Sequence, residues 1–383
     1  MNSTLIKKIR TSFQETFKSE PLMIFSPGRI NIIGEHTDYN EGYVLPAAVN
    51  KGIVLAIGKS NSTAASTLIA VDKSETVKLC LSDLKPLQEG SWENYVFGVI
   101  AELQNRSKVI TNFNMVFGGD LPIGAGMSSS AALENSVVFG LNELFDLGLT
   151  KDEMILISQK AEHDYVGVKC GIMDQYTSMF GVENNALFLD CRTIQSKFFE
   201  IDFKDYELVL INTNVKHSLS DSAYNDRRSI CESISKMLKV KALRDTSEYD
   251  LEGIRDKLTH ENYQKALYVV QENNRVIYAS EAIKKGDLKL LGALMYASHD
   301  GLQNQYKVSC VELDFLVKQA KLNDFVLGAR MMGGGFGGCT INLIHKKETE
   351  SFKTFVSEAY KNKFNNSCTI YSVSLSNGTG IIK

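Results

Sequence analysis

Residues Gly118 to Ala132 read Gly-Gly-Asp-Leu-Pro-Ile-Gly-Ala-Gly-Met-Ser-Ser-Ser-Ala-Ala. This stretch decides the fold. Before it, Phe113-Asn114-Met115-Val116-Phe117 alternates apolar and polar residues, as a strand does. After it, Leu133, Val137, Leu141, Leu144 and Phe145 recur at spacings of four, four, three and one, the apolar stripe of a long helix. A Gly/Ser-rich loop between strand and helix has a definite chemistry. Its glycines let backbone amides approach a ligand closely. The helix points unpaired N–H groups and the positive end of its dipole into the loop. Phosphate can be held there without Lys or Arg, and the hydroxyl of Ser130 could ligate Mg²⁺, which prefers oxygen. The competing reading is a turn with an ordinary serine N-cap. Two other phosphate loops are excluded. Gly58-Lys59-Ser60 ends like a Walker A sequence, but its first glycine would fall at Ile53, inside an apolar run. A Rossmann loop fails because Ser129 stands at the third glycine position.

Outward from this loop, the chain predicts an α+β protein without regular βαβ alternation. Leu22 to Ser26 reads as a strand ended by Pro27-Gly28, and Gly52 to Gly58 as another. Lys151 to about His163 reads as helix. So do Ser222 to Leu238 and Glu261 to Lys284. Strand-like runs lie at Glu207 to Asn212, Cys339 to Ile344 and Thr369 to Leu375. The N-terminus opens an amphipathic helix with Leu5, Ile6, Ile9 and Phe13 on one face, and has no apolar core of signal-peptide length. A change of domain is expected near Phe203, giving domains 1–203 and 204–383.

The 383 residues suffice for two domains. With 44% hydrophobic and 23% charged residues, the composition is that of a globular protein. A net charge of −3 provides no footprint for nucleic acid and no attraction to an anionic membrane. No run of eighteen apolar residues is present to span a bilayer. The seven cysteines are scattered without a CxxC pair, so a disulfide framework or zinc site is not expected. Most should be small buried hydrophobes in a reducing compartment, the cytoplasm.

Three further segments carry candidate chemistry. Gly28 to Asn40 (GRINIIGEHTDYN) crowds Glu35, His36 and Asp38 beside a glycine, a set able to bind sugar hydroxyls, or else a solvated turn. Arg29 brings a fixed positive charge that can stabilise phosphoryl oxygens. Between Ala161 and Tyr176, Glu162 and Asp174 flank a glycine-containing stretch. One could hold Mg²⁺ while the other serves as base, a division that suits phosphoryl transfer. The alternative makes Glu162 an exposed helix residue and Asp174 a helix cap. Leu327 to Cys339 holds a run of glycines before a strand, either a close-approach loop or a structural hairpin.

In combination these segments resemble the galactokinases, within the superfamily that also holds homoserine, mevalonate and phosphomevalonate kinases. Arg29 to Asn40 resembles the galactokinase signature, Pro122 to Glu134 the phosphate loop and Gly328 to Cys339 the third, glycine-rich motif. Ser222 to Glu232 also matches. The resemblance implies an N-terminal α+β domain of ribosomal-protein-S5-like topology, a C-terminal α+β domain and an active site between them. It implies transfer of the γ-phosphoryl of ATP to the C1 hydroxyl of D-galactose, by a monomer. Asp174 would be the base. Arg29 would lower the base's pKa and stabilise the phosphoryl group. Glu35, His36, Asp38, Gly171 and Tyr224 would bind sugar together with Asp174. Gly124, Ala125, Gly126, Met127, Ser128, Ser129 and Ser130 would hold the nucleotide, with Trp92 and Tyr95 near its base or else in the core. Ser130 and Glu162 would hold Mg²⁺. Met127 stands where the family has Leu, and Met332 where it has Thr. Two alternatives go with this: a kinase of N-acetylgalactosamine or another galactose-like sugar, and a non-catalytic galactose-sensing regulator.

Overall fold

The computed structural model describes residues 2–383 other than 89, 123 and 217–219, and the backbone alone at 216 and 220–224. In chain order the first half forms α1 (Ser3–Phe17), β1 (Leu22–Asn31), β2 (Tyr43–Val44), β3 (Pro46–Lys59), β4 (Ser66–Ala70), β5 (Glu75–Leu79), α2 (Glu93–Asn105), β6 (Phe113–Gly119), α3 (Ser129–Phe145), α4 (Lys151–Ala161), α5 (Met173–Phe180), β7 (Asn185–Asp190) and β8 (Gln195–Glu200). The second half adds β9 (Tyr206–Lys216), α6 (Ser220–Leu238), α7 (Glu248–Glu252), α8 (His260–Lys285), α9 (Leu288–Asn304), α10 (Val311–Lys321), β10 (Val326–Met332), β11 (Gly337–His345), α11 (Thr349–Phe364), β12 (Thr369–Ser372) and β13 (Gly380–Ile381). The class is α+β, as expected.

A six-stranded sheet in the order β13-β1-β3-β6-β4-β5 carries the first half. Its period-2 pattern divides cleanly. Met23, Phe25, Val54, Ala56 and Val116 face α1, where Leu5, Ile9 and Phe13 are buried. Ile24, Leu55, Ile57, Met115 and Phe117 face the other way, into a core built with residues of α2, α3, α4 and α5. A four-stranded antiparallel sheet, β10-β11-β9-β12, carries the second half. Val209, Ile211, Ala329 and Ile344 pack against α10 and α11. Leu208, Leu210, Ile341 and Leu343 pack against α8 and α9 in a cluster that also contains Ile30, Ile32, Ala125 and Met127. The two halves therefore share one core where β1 and the Gly/Ser loop meet the second sheet.

Three expectations need correction. β1 does not stop at Pro27-Gly28. It runs on to Asn31, with its pairing to β3 shifted between Pro27 and Arg29. The irregularity at Gly28 lies against Leu121 and the Met127 carbonyl, so the chain bends there instead of ending. The strand expected at Gly52 to Gly58 is longer, Pro46–Lys59. Of the seven free cysteines only Cys231 and Cys339 are buried, and Cys80 is exposed. Among the described residues no helix is long and apolar enough to cross a membrane.

Candidate active site

The bend in β1 aims Arg29 at α5. Arg29 N donates to the Met127 carbonyl at 3.1 Å, which ties the strand to the loop before α3. Ser26, three residues earlier, bonds through its hydroxyl to Ser178 of α5 (3.1 Å) and to Thr379 next to β13 (2.8 Å). Strand and helix are fixed together in this way, and their functional side chains meet. Arg29 Nε donates to Asp174 Oδ1 at 2.8 Å and Arg29 Nη2 to Asp174 Oδ2 at 3.0 Å, a two-pronged pair. Burial works against the Arg29 charge, but Asp174, Glu35 and Asp38 outweigh it and hold its pKa above the ordinary value. Asp174 lies in the first turn of α5 and is not its cap, which is Ile172.

The Gly/Ser loop closes on the same carboxylate. Ser128 occupies the N-cap position of α3, yet its hydroxyl makes no cap bond. It donates instead to Asp174 Oδ2 at 2.5 Å, and Arg29 Nη1 donates to the Gly126 carbonyl. The ordinary-cap reading of this serine therefore fails. Gly126 has φ +69°, and a Cβ there would lie 3.0 Å from the Met332 carbonyl, so a side chain would be strained where the first loop meets the glycine run after β10. Ala125 and Met127 are buried, while Gly124 and Ser129 are exposed at the head of α3.

A cavity of about 120 Å³ opens beside this pair, lined by Arg29, Glu35, His36, Asp38, Glu162, Cys170, Asp174 and Gly333 among others. Glu35, His36 and Asp38 are buried, not a solvated turn. Glu35 Oε1 accepts from Arg330 Nη2 and from Gly333 N, both at 2.9 Å. His36 Nδ1 bonds the Tyr39 hydroxyl at 2.8 Å, and Tyr39 bonds Tyr306 at 2.7 Å. Burial and then Arg227 push the His36 imidazole down to about 3, so it is neutral. Burial and the Asp174 charge push Asp38 up to about 7. Gly171 is pressed against Asp38: a Cβ at 171 would run into the Asp38 carboxylate. The side chain of Tyr224 lies outside the described residues.

Glu162 follows α4 in a wide π turn and is buried, not exposed. Its carboxylate accepts from Gln175 Nε2 at 2.7 Å, and the Ser130 hydroxyl stands near enough to lower its pKa. Burial and Asp174 push it up to about 7. Two oxygen donors side by side, with surplus negative potential around them, suit a hard divalent cation that completes its shell with phosphate and water. Among the described residues no group of three or more His, Cys, Asp or Glu forms a metal cage. Trp92 and Tyr95 do not line the cavity beside Asp174. The Trp92 indole is buried against Phe117 and donates to Glu75, and Tyr95 packs against the same core.

Some functional residues escaped the sequence reading. Arg330 is fully buried and donates to the carbonyls of Asn31 and Ile32 as well as to Glu35. Glu134, fully buried in α3, accepts from Gln175 beside Glu162, and burial and Glu162 hold its pKa well above the ordinary value. For Arg330 the available signal was a lone charge in the apolar run Leu327 to Met332; for Glu134, followed by Asn135 and Ser136, there was no such signal.

Comparison with known proteins fits this geometry. Residues 94–182 match the model of the GHMP kinases N terminal domain and residues 279–362 that of the GHMP kinases C terminal domain. The fold recurs in the mevalonate kinase of Methanococcus jannaschii, at a TM-score of 0.67 and 18% identity over 94% of this chain and 100% of that one. Fold and site thus define a two-domain kinase of the GHMP type. Residues 11–59 match the galactokinase galactose-binding signature. The galactokinase of Thermotoga petrophila is 40% identical over 93% of this chain and 99% of its own, and that of Clostridium beijerinckii 37% over 98% of both. The Lactococcus lactis galactokinase, solved with galactose, superposes at a TM-score of 0.93 with 33% identity over 97% of this chain and 98% of that one. The chain belongs to the galactokinase family, and it is an ATP-dependent sugar kinase.

Proposed function

We propose that the chain transfers the γ-phosphoryl group of ATP to the C1 hydroxyl of D-galactose, giving galactose 1-phosphate and ADP, with Asp174 as base. The observation that carries this reading is the two-pronged Arg29–Asp174 pair, held by Ser128 at the junction of the sugar-signature strand and the phosphate loop. Asp174 takes the proton of the C1 hydroxyl. The freed oxygen forms a bond to the γ-phosphorus as the bond to the departing ADP oxygen breaks. The fixed charge of Arg29 lies where negative charge spreads over the transferring oxygens. Glu35, His36, Asp38, Gly171 and Tyr224 bind the sugar, and a neutral His36 can donate or accept. Phosphates sit on the amides from Gly124 to Ser130 at the head of α3. Trp92 and Tyr95 would stand near the nucleotide base, held by their packing in the core. Ser130 and Glu162 would hold Mg²⁺, which supplies charge neutralisation on the phosphates. A division of domains near Phe203 is supported by the start of the second sheet at Tyr206, although β13 returns to β1. The same reading has the enzyme working as a monomer in the cytoplasm, where seven free cysteines fit a reducing environment.

The test is a coupled ADP-release assay with ATP and Mg²⁺ against galactose, glucose, N-acetylgalactosamine, mevalonate and homoserine. Turnover with galactose far above the others is the expected result. Turnover with N-acetylgalactosamine alone moves the acceptor, and galactose binding without turnover makes the chain a sensor.

A further inference from the structure

The loop that carries His36 and Asp38 is not self-supporting. His36 (φ 62°) and Glu41 (φ 55°) are both left-handed, a backbone region that disfavours any side chain. Asp38 is held with its carboxylate close to those of Asp174 and Glu35, both of which repel it. Internal bonds exist, from Thr37 Oγ1 to the Gly34 and Tyr43 carbonyls and from Asn40 to the His36 carbonyl. The near end of the loop is anchored where Glu272 accepts from Gly34 N at 2.9 Å. Its far end, Glu41 to Tyr43, is held by Asn273 at Tyr43 N, by Cys191 N at the Gly42 carbonyl and by the exposed Lys241 at Glu41, and beyond these by a different device.

That device is a reciprocal exchange of ion pairs between two short segments. Arg244 pairs with both oxygens of Asp190, while Arg192 pairs through two 2.7 Å bonds with Asp245. Each arginine also reaches the loop. Arg244 Nη1 donates to the Glu41 carbonyl at 2.9 Å and Arg244 Nη2 to the Tyr43 hydroxyl at 2.7 Å, with the guanidinium 4.3 Å over the Tyr43 ring. Arg192 Nε donates to Glu41 Oε2 at 2.6 Å. All five ionic groups are only partly exposed, so their pairing is screened less than that of a surface pair. Neither arginine lies within the residues matched by the GHMP kinase models.

We propose that Arg244, seconded by Arg192, is a positioning residue that sets galactose affinity by fixing the far end of the loop bearing His36 and Asp38. The inference rests on the galactokinase reading above. Neither arginine touches the reacting atoms, and the phosphate loop is anchored elsewhere, so nucleotide binding is independent of them. Lysine keeps the charge of either position but loses the planar fork that makes several bonds at once.

The experiment is titration calorimetry of the full chain with galactose and, separately, with ATP, alongside thermal unfolding and steady-state turnover. Arg244→Lys is expected to weaken galactose binding about tenfold, with ATP binding and kcat at saturating sugar within about threefold of the parent. Arg192→Lys and Glu41→Gln, milder changes at the other arm, should each weaken it about threefold. Unchanged galactose affinity in all three variants overturns the proposal. So does a parallel loss of galactose and ATP affinity together with thermal stability, which would mark a general structural role. A parent protein that binds no galactose defeats the galactokinase reading itself, a result visible before any variant is made.

Discussion

Two buried arginine–carboxylate pairs meet at one cavity of this protein, lined by Arg29, Asp174 and Glu35 with Arg330 enclosed behind, and they do different work. Arg29–Asp174 leaves 24% of the Asp174 side chain exposed and has room for a sugar hydroxyl. Arg330–Glu35 is closed, with the arginine side chain 0% exposed and its remaining donors spent on the carbonyls of Asn31, Ile32 and Met331. The same functional groups are reactive machinery where the carboxylate keeps an open face and a structural rivet where both partners are enclosed. In an open pair, loss of the carboxylate charge should fall on the reaction. In a closed pair, loss of the arginine should fall on the fold.

The largest expected effect breaks the open pair. Asp174→Asn can still accept from Arg29 and Ser128 through its amide oxygen, but it cannot take a proton. Turnover should fall by a factor of about 10² to 10⁴ while galactose binding by calorimetry stays within a few-fold. Near-full turnover would show that Asp174 is not the base. The next effect breaks the closed pair. Arg330→Met strands Glu35 and three backbone carbonyls in the core, so unfolding in urea should show a loss of about 3–5 kcal/mol. The folded fraction should lose less turnover than Asp174→Asn. The reverse ranking, with Arg330→Met stable and inactive, would place Arg330 in the chemistry and collapse the distinction.

A smaller effect sharpens the contrast through pH. Asp38 faces the open pair, and burial followed by Asp174 raises its carboxyl from 3.8 to about 7. Between about pH 4 and 7 the folded chain therefore holds a proton on Asp38 that the unfolded chain releases. Its stabilising contribution is complete below about pH 4 and is lost as pH rises through 7, with a slope of at most about 1.4 kcal/mol per pH unit. Asp38→Asn cannot titrate. The stability difference, parent minus Asp38→Asn, should fall from pH 4.5 to pH 7.5 in urea unfolding without ligand. Parallel pH profiles would mean that Asp38 is ionised throughout.

This contrast between pairs was only half legible in the sequence. The phosphate loop could be read locally, because glycines, serines and a following apolar stripe are short-range signals. Arg29 and Asp174 are 145 residues apart, and no local rule joins them; the family resemblance supplied the pairing. Arg330 stayed hidden because β10 reads as an apolar run into glycines, and its partner Glu35 lies on the opposite half of the chain. Ser128 was readable as a cap and became a ligand of Asp174 only once α5 packed beside β1. Strands β5 and β8 went unread for a simpler reason. Their sequences, Glu75–Leu79 and Gln195–Glu200, are largely exposed and carry little apolar signal.

The smallest expected effect concerns the residues next to the open pair that depart from the family pattern. Met127 and Met332 are both buried in the cluster that joins the two halves, 2% and 1% exposed. What Met127 contributes to the site is its carbonyl, which accepts from Arg29 N, and Met332 contributes the carbonyl that closes on Gly126. Both contributions are main-chain and survive a change of side chain, provided that the packing holds. Met127→Leu keeps the volume and loses one flexible sulfur-containing arm. Stability should shift by less than about 1.5 kcal/mol in either direction, and kcat and both substrate affinities should stay within about twofold. A larger drop in kcat with unchanged stability would mean that the Met127 side chain itself steers the loop, and that the open pair depends on its neighbours' packing as much as the closed one does.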